Sequence, residues 1–341
     1  MGVDLGSIVP RKEIDFSYLK NKTVAVDAFN AIYQFLSSIR GQDGSYLMDS
    51  QGRVTSHLQG LFARTLNLMN KGIKLVYVFD GEAPKLKLSE RESRISRKVI
   101  AQQKYKEAIA EENIEDMYKY SKQFMRLNQD MIDEAKELVS ALGIPVVQAP
   151  SEAEGQVAYM CKKKLVHFAA SQDYDSLLFG APKLLRNLTL NQKRKVRGGK
   201  IVFTFLEFIE LEEVLKELRL TQEQLIVLGI LTGTDFNVGG VKGIGPKKAL
   251  KLVKNYSTLN GFDKMFADLN VDFNWREVYD IFANLPVEED IKLKWESLDD
   301  DKVREILVEK HEFNLERINN SLNKYREENK NINQKGLNEF F

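Results

Sequence analysis

Short β-branched or apolar runs bounded by polar residues occur at Thr23–Val26, Leu75–Phe79, Ile144–Gln148, Phe168–Ser171 and Ile201–Phe203, with helical periodicity between most of them. That alternation predicts an α/β fold with a mostly parallel central sheet. The runs VAV and KLVYVF are apolar throughout, as expected of strands covered by helices on both faces. Two segments break the rhythm. From Lys85 to Lys106 there are eight Lys and Arg against two Glu, in helix-favouring residues with no broad apolar stripe, which predicts a helix standing off the core. From about Thr221 the strands stop, and the remainder reads as consecutive helices with local charge separation, from KKALKLVKN to VEED and LDDDK. After Arg326 the polar stretch EENKNINQKGLNEFF reads as a tail that ends in two phenylalanines.

A chain of 341 residues with 43% hydrophobic content can bury a large core, which excludes a short peptide or a disordered regulator. Fifty Lys and Arg against 49 Asp and Glu leave a formal charge of +1, so any electrostatic function must arise from local clustering. Cys161 is the single cysteine, which rules out an internal disulfide framework and predicts a reducing, cytoplasmic compartment. No run approaches the roughly 20 apolar residues of a bilayer span, so no membrane association is expected. His57, His167 and His311 are too few and too scattered for the usual zinc ligand sets, and nothing marks a Ser-His-Asp or Cys-His nucleophile. The glycine cluster near Gly245 continues Pro-Lys-Lys-Ala, so it is no P-loop, and no dinucleotide fingerprint follows an early strand.

The acidic residues are placed more tellingly. Asp27 ends TVAVD, Asp80 ends KLVYVFD, and Asp173 and Asp175 follow FAASQ, all at C-terminal strand edges, the rim where open α/β sheets bind ligands. For any one of them a helix N-cap is the competing explanation. The pairs Glu152/Glu154 and Asp173/Asp175 exceed what capping needs. At a helix start, i and i+2 do not share a face, so each pair would flank a site. So many carboxylates together would raise one another's pKa values and cost stability unless cations neutralise them. All-oxygen ligation suits Mg²⁺, with Mn²⁺ as a substitute. With Asp235 from LTGTDF the set reaches seven, enough for two ions that would assist phosphodiester hydrolysis.

Gly243-Ile244-Gly245-Pro246-Lys247-Lys248-Ala249 has the layout of a hairpin between two helices, with Pro246 at a first helical position. The helix start offers free N–H groups to a phosphate. Lys242, Lys247, Lys248, Lys251 and Lys254 surround it with no intervening acid, predicting a backbone clamp indifferent to base sequence; the competing reading is a solvated helix start. A second basic run, Lys193-Arg194-Lys195-Val196-Arg197, reads as a loop.

Taken together, MGVDLGSIV, VAVDAFNAIYQFL, TSHLQGLF, GIKLVYVFDGEAP, APSEAEGQVAYM, SQDYDSLLFG, LTGTDFN, GIGPKKA and QKGLNEFF resemble, in order, the structure-specific 5′ nucleases, and specifically the flap endonucleases of archaeal type. The resemblance spans nearly the whole chain. It implies that Asp27, Asp80, Glu152, Glu154, Asp173, Asp175 and Asp235 hold two Mg²⁺ ions, with Asp173 central to catalysis, and that Lys87 and Arg94 contact the scissile phosphate. An Arg can grip phosphate oxygens bidentately while a Lys supplies a point charge. Tyr33 resembles the aromatic on which a terminal base stacks, the alternative being a core tyrosine, and Arg40 is expected further along the same helix. Removal of Met1 would place Gly2 near the site. The last eight residues resemble a sliding-clamp (PCNA) motif, Q-x-x-L-x-x-F-F, through Gln334, Leu337, Phe340 and Phe341. Eukaryotic members of the family continue into a basic nuclear-targeting extension that the resemblance does not reach here, so a nuclear location is not expected.

The expected organisation is one nuclease domain over residues 1–330, with a helical arch at about 82–130, a helix-hairpin-helix module at about 225–255 that uses Gly243, Gly245, Lys247 and Lys248, and a flexible tail over 331–341. The expected activity is cleavage of a branched DNA with a 5′ flap, in lagging-strand maturation and repair, by a protein that is monomeric apart from the clamp. The competing classes are a catalytically silent, clamp-recruited junction scaffold and a nuclease directed at single strands or RNA; the hairpin lysines, which imply duplex, count against the latter.

Overall fold

The computed structural model describes residues 2–41, 44–87, 99–101, 103–104, 107, 127–190, 193–195 and 201–338. Its strands are β1 (Lys12–Ile14), β2 (Thr23–Asp27), β3 (Lys74–Phe79), β4 (Val146–Gln148), β5 (Phe168–Ala170), β6 (Lys183–Arg186), β7 (Lys193–Lys195), β8 (Ile201–Phe203) and β9 (Leu206–Glu210). Period-two alternation sends Val24 and Val26, Leu75, Tyr77 and Phe79, and Phe168 and Ala170 into one core, and Ala25, Val76, Val78 and Ala169 into another. Each face therefore buries apolar side chains, which is why these strands read as unbroken hydrophobic runs. The seven-stranded sheet has the order β1-β9-β6-β5-β2-β3-β4. The pairs β5–β6, β2–β5, β2–β3 and β3–β4 are parallel, whereas β9 runs antiparallel to both β6 and β1.

One face is covered by α1 (Ala28–Ser38), α2 (Ser56–Asn70) and α3 (Gln129–Ala141) through Ile32, Phe35, Leu61, Leu66 and Leu138. The other is covered by α4 (Ala153–Lys162), the single turn α5 (Asp175–Leu178) and α6 (Leu211–Leu218). Beyond them the same core continues through α7 (Gln222–Thr232), α8 (Pro246–Val253), α9 (Leu259–Asp268) and α10 (Trp275–Asn284), so the helical C-terminal part is not a separate globule. Side chains set several of the helix starts: Asp27, Asn128, Thr258 and Asn274 each accept a backbone N–H, and Thr221 with Gln224 closes a capping box.

From α10 an extended strap, residues 285–299, runs across the molecule to the first face. Gln156 exchanges hydrogen bonds with the backbone of Glu288 at 2.7 and 3.0 Å. Trp295 Nε1 donates to the Leu75 carbonyl at 2.8 Å, and the Glu296 and Asp299 N–H groups donate to the carbonyls of Gly143 and Ala141. The strap delivers α11 (Asp300–Arg304), a π-helical turn (Glu305–Lys310) and α12 (Leu315–Asn338) beside α2.

Three expectations change. Ile201–Phe203 is not a strand of the central sheet; it pairs antiparallel with β7, so the basic run at Lys193–Lys195 is one arm of a hairpin rather than a loop. The edge strand β1 and the strands β9 and β6 that lie between it and β5 went unread because KEI, KLLR and LEFIE mix charge with apolar residues. Finally, residues 331–338, expected as a flexible tail, continue α12. Buried Ile318 and Leu322 dock one stripe of its first half, and a helix already docked propagates into polar sequence without a second nucleation.

Candidate active site

Parallel strands bring their C-terminal ends to one rim, and five chain segments place acidic side chains there. Asp27, at the end of β2, is buried and caps α1 by accepting the Asn30 N–H at 3.0 Å. The cap reading and the site reading are thus both satisfied by one residue. Asp80 follows β3, and its Oδ1 accepts the Ala153 N–H at the start of α4 at 2.6 Å. This reach depends on Gly81, where a Cβ would lie 2.2 Å from the Ala149 carbonyl; without a side chain the two strand ends lie against each other, and the Gly81 N–H donates to the Ser151 carbonyl at 2.7 Å.

Glu152 and Glu154 point in different directions, as their spacing predicts. Glu152 Oε2 meets Lys87 Nζ at 2.5 Å, and Lys87 also lies 3.6 Å from Asp235 in the loop after α7. Glu154 accepts from Ser171 Oγ at 3.0 Å on the β5 side. Asp173 Oδ2 accepts from Asn30 Nδ2 at 3.1 Å, and buried Asp175 accepts the Val3 N–H at 2.6 Å. Gly2 lies against both: a Cβ there would come 2.7 Å from Asp173 Cβ and 2.9 Å from Asp175 Cγ.

The electrostatics confirm that these groups feel one another. Burial, then the charge of Asp80, pushes Asp27 well above the usual carboxylate range, with Asp173 and Glu152 adding to the effect. Burial likewise raises Glu154, assisted by Asp175, Asp173 and Asp27. Asp175 is pushed up to about 7 by burial, with Asp173 and Asp235 reinforcing it and the Val3 N–H opposing. Burial alone would lower the Lys87 pKa, but Glu152, Asp235 and Asp80 outweigh it and the net shift is upward. Lys87 therefore acts as an internal counter-cation within the acidic rim.

Among the described residues, no three acidic, His or Cys side chains form a ready-made metal cluster. The donor set still fits a hard divalent ion. Every candidate ligand is a carboxylate oxygen, and Mg²⁺ keeps several waters and binds through few carboxylates plus substrate phosphate. Asp27, Glu154 and Asp175 are raised first by burial and then by one another's charge, and a cation at the rim would oppose both effects.

Of the other expected residues, Tyr33 is 42% exposed, so it is not a core tyrosine. Arg40 lies beyond the end of α1 at Ser38 rather than on it. Its guanidinium donates to the Leu36 and Gly44 carbonyls and to Tyr46 Oη and stacks 3.8 Å over the Tyr46 ring, so it braces the 40–46 turn. Arg94 falls outside the described residues, as do its neighbours Arg91, Arg97 and Lys98. Between α7 and α8, Gly233 and Gly240 pack backbone to backbone, since a Cβ on either would meet the other's amide nitrogen within 2.6 Å. Gly243 has φ +80°, Gly245 is the residue before α8, and Pro246 is its first. Lys247 and Lys248 are exposed there, Lys248 Nζ reaching the Gly243 carbonyl at 2.9 Å. Gln334 and Leu337 lie within the backbone of α12, while Phe340 and Phe341 are outside the described residues. The reading of the sequence missed Asn30 and Ser171, which touch the acids directly; the only signal for Asn30 was its position three residues after Asp27.

Comparison with known families matches the XPG N-terminal domain to residues 5–101 and the XPG I-region to residues 143–235. Flap endonuclease 1 of Thermococcus onnurineus is 50% identical over 94% of each chain, and that of Pyrococcus furiosus 49% identical over 100% of this chain and 99% of the relative. The chain belongs to the flap endonuclease 1 family. Among solved structures, flap endonuclease-1 from Methanococcus jannaschii superposes with a TM-score of 0.77 at 39% identity, covering 97% of this chain and 99% of that one. The catalytic core of Rad2 in complex with DNA substrate gives a TM-score of 0.72 at 27% identity, covering 95% of this chain and 100% of that one. The chain is a structure-specific nuclease with the sheet and helical layers of flap endonuclease 1, and the acidic rim lies within the segments matched by the two XPG regions or at their edge, at Asp235.

Proposed function

We propose that this flap endonuclease cleaves the strand bearing a free 5′ end at a junction of single- and double-stranded DNA, with two Mg²⁺ ions held among Asp27, Asp80, Glu152, Glu154, Asp173, Asp175 and Asp235. The convergence of five segments on one rim, where the acids raise one another's pKa values around Lys87, is the observation that carries the reading. Bound there, the ions would supply activation of a water and stabilisation of charge on the leaving oxygen. Asp173 and Asp175 would hold one side of the cleft and Glu152 with Asp80 the other, so that a phosphate entering between them completes the coordination the acids lack. Lys87, released from Glu152 as divalent cations take over its neutralising role, would turn its ammonium toward the phosphate and stabilise developing negative charge. Exposed Tyr33, on the helix capped by Asp27, would stack a base beside the cleft. Lys247 and Lys248, at the start of α8, would grip the duplex backbone, and the motif from Gln334 would recruit a sliding clamp to an otherwise monomeric enzyme.

The deciding variant is Asp173→Asn. It should lose cleavage of a 5′-flap substrate in Mg²⁺ by at least about 100-fold while binding the same flap with unchanged affinity. Normal turnover by this variant would refute the assignment. A silent scaffold, the alternative, predicts no Mg²⁺-dependent cleavage by the wild-type protein.

A further inference from the structure

Asn30 stands on the first turn of α1, three residues after Asp27, and is in contact with two of the seven acids. Its backbone N–H donates to Asp27 Oδ1 at 3.0 Å. Its side chain faces the other way, across the mouth of the sheet: Nδ2 donates to Asp173 Oδ2 at 3.1 Å, and Oδ1 accepts the Gln172 N–H at 3.3 Å. These partners fix the orientation of the amide, because turning it over would set an oxygen against a carboxylate and an NH₂ against an N–H. No other uncharged residue type provides this donor and acceptor at this reach. Leu has the size without either, and Asp has the shape but would add another negative charge beside Asp173. On the opposite flank Ser171 Oγ donates to Glu154 and accepts the Asp173 N–H at 3.2 Å, so the loop from Ser171 to Asp173 is held from α1 and from α4 at once.

We infer that Asn30 is a positioning residue for divalent-metal binding: its amide holds Asp173 and the Gln172 backbone at the distance from Asp27 that the ion requires. The inference rests on the reading of these acids as metal ligands. Groups that orient metal ligands typically contribute 10- to 100-fold in metal affinity or activity. Asn30→Ala and Asn30→Leu retain the backbone bond to Asp27 and release only Asp173 and Gln172, so they separate hydrogen bonding from shape.

The test is titration of Mn²⁺ into DNA-free protein by calorimetry, with wild type, Asn30→Ala and Asn30→Leu side by side. Flap binding in chelator and steady-state cleavage in Mg²⁺ accompany it. Both variants should bind Mn²⁺ about 10- to 100-fold more weakly and lose kcat, with KM and metal-free flap affinity unchanged. Wild-type Mn²⁺ affinity in either variant overturns the inference, since a residue needed only for packing tolerates Leu. Equal loss of metal-free flap binding also overturns it, by showing general disorder of the site. If wild-type protein itself takes up no Mn²⁺, the metal assignment fails as a whole, a result distinct from normal uptake by all three proteins.

Discussion

Asp175 carries the clearest thermodynamic signature of the site. Its folded-state pKa is pushed up to about 7 by burial and the neighbouring acids, against an ordinary value of 3.8. Between those limits the folded protein holds a proton that the unfolded chain releases, so stability in chelator falls as pH rises from about 4 to above 7, each unit being worth about 1.4 kcal/mol. Melting temperatures of chelated protein at pH 5 and pH 8 should show the loss, Mg²⁺ should reverse it at pH 8, and Asp175→Asn should flatten the profile. A steeper profile in the variant would contradict the assignment. Six of the seven acids stand out in the sequence because four of them form pairs one residue apart, more than capping needs, and two more, Asp27 and Asp80, end apolar strands at the same rim; Asp235, in the loop after α7, carries no such mark and comes only from LTGTDF. Asn30 does not stand out: an amide three residues into a helix looks like any solvated position until its partners from residues 172 and 173 are placed opposite.

At the level of elements, the proposed role of the glycine turn before α8 depends on charge rather than shape. Lys247 and Lys248 sit exposed at a helix N-terminus, where each phosphate contact would release a counterion. Replacing both with Ala should weaken duplex binding and reduce the slope of log K against log salt by about 1 to 2. Anisotropy titrations from low to moderate salt would measure it, and an unaltered slope would exclude these lysines as phosphate contacts. Strands β2, β3 and β5 were legible because burial on both faces fills them with apolar residues, and the edge strand β4 because its Val-Val pair is apolar. β1, β6 and β9 were not, since an edge or half-covered strand keeps charges such as Glu207, which pairs with Arg186 at 2.7 Å. Lys193–Lys195 was misread for a related reason: a hairpin outside the central sheet can keep its charges, leaving no hydrophobic period to find.

For the whole molecule, the helical backbone of α12 runs to Asn338 and includes Gln334 and Leu337, past the point where the sequence reads as a tail. Deleting residues from Asn333 onward removes this end without touching the buried anchors Ile318 and Leu322. Stimulation by a sliding clamp should be abolished, with basal flap cleavage unchanged; a deletion that still responds to the clamp would place recruitment elsewhere. The strap over residues 285–299 has a consequence for where such an enzyme cuts. By hydrogen bonding to Gln156 at one end and to Leu75, Ala141 and Gly143 at the other, it fastens the helices that carry the lysine turn to the base of the sheet that carries the acids. Grip and blade are then parts of one rigid gauge. If the lysine turn holds the duplex as proposed, the scissile bond would be selected by its distance along the DNA from the point of grip, and the protein would measure its substrate without reading its bases.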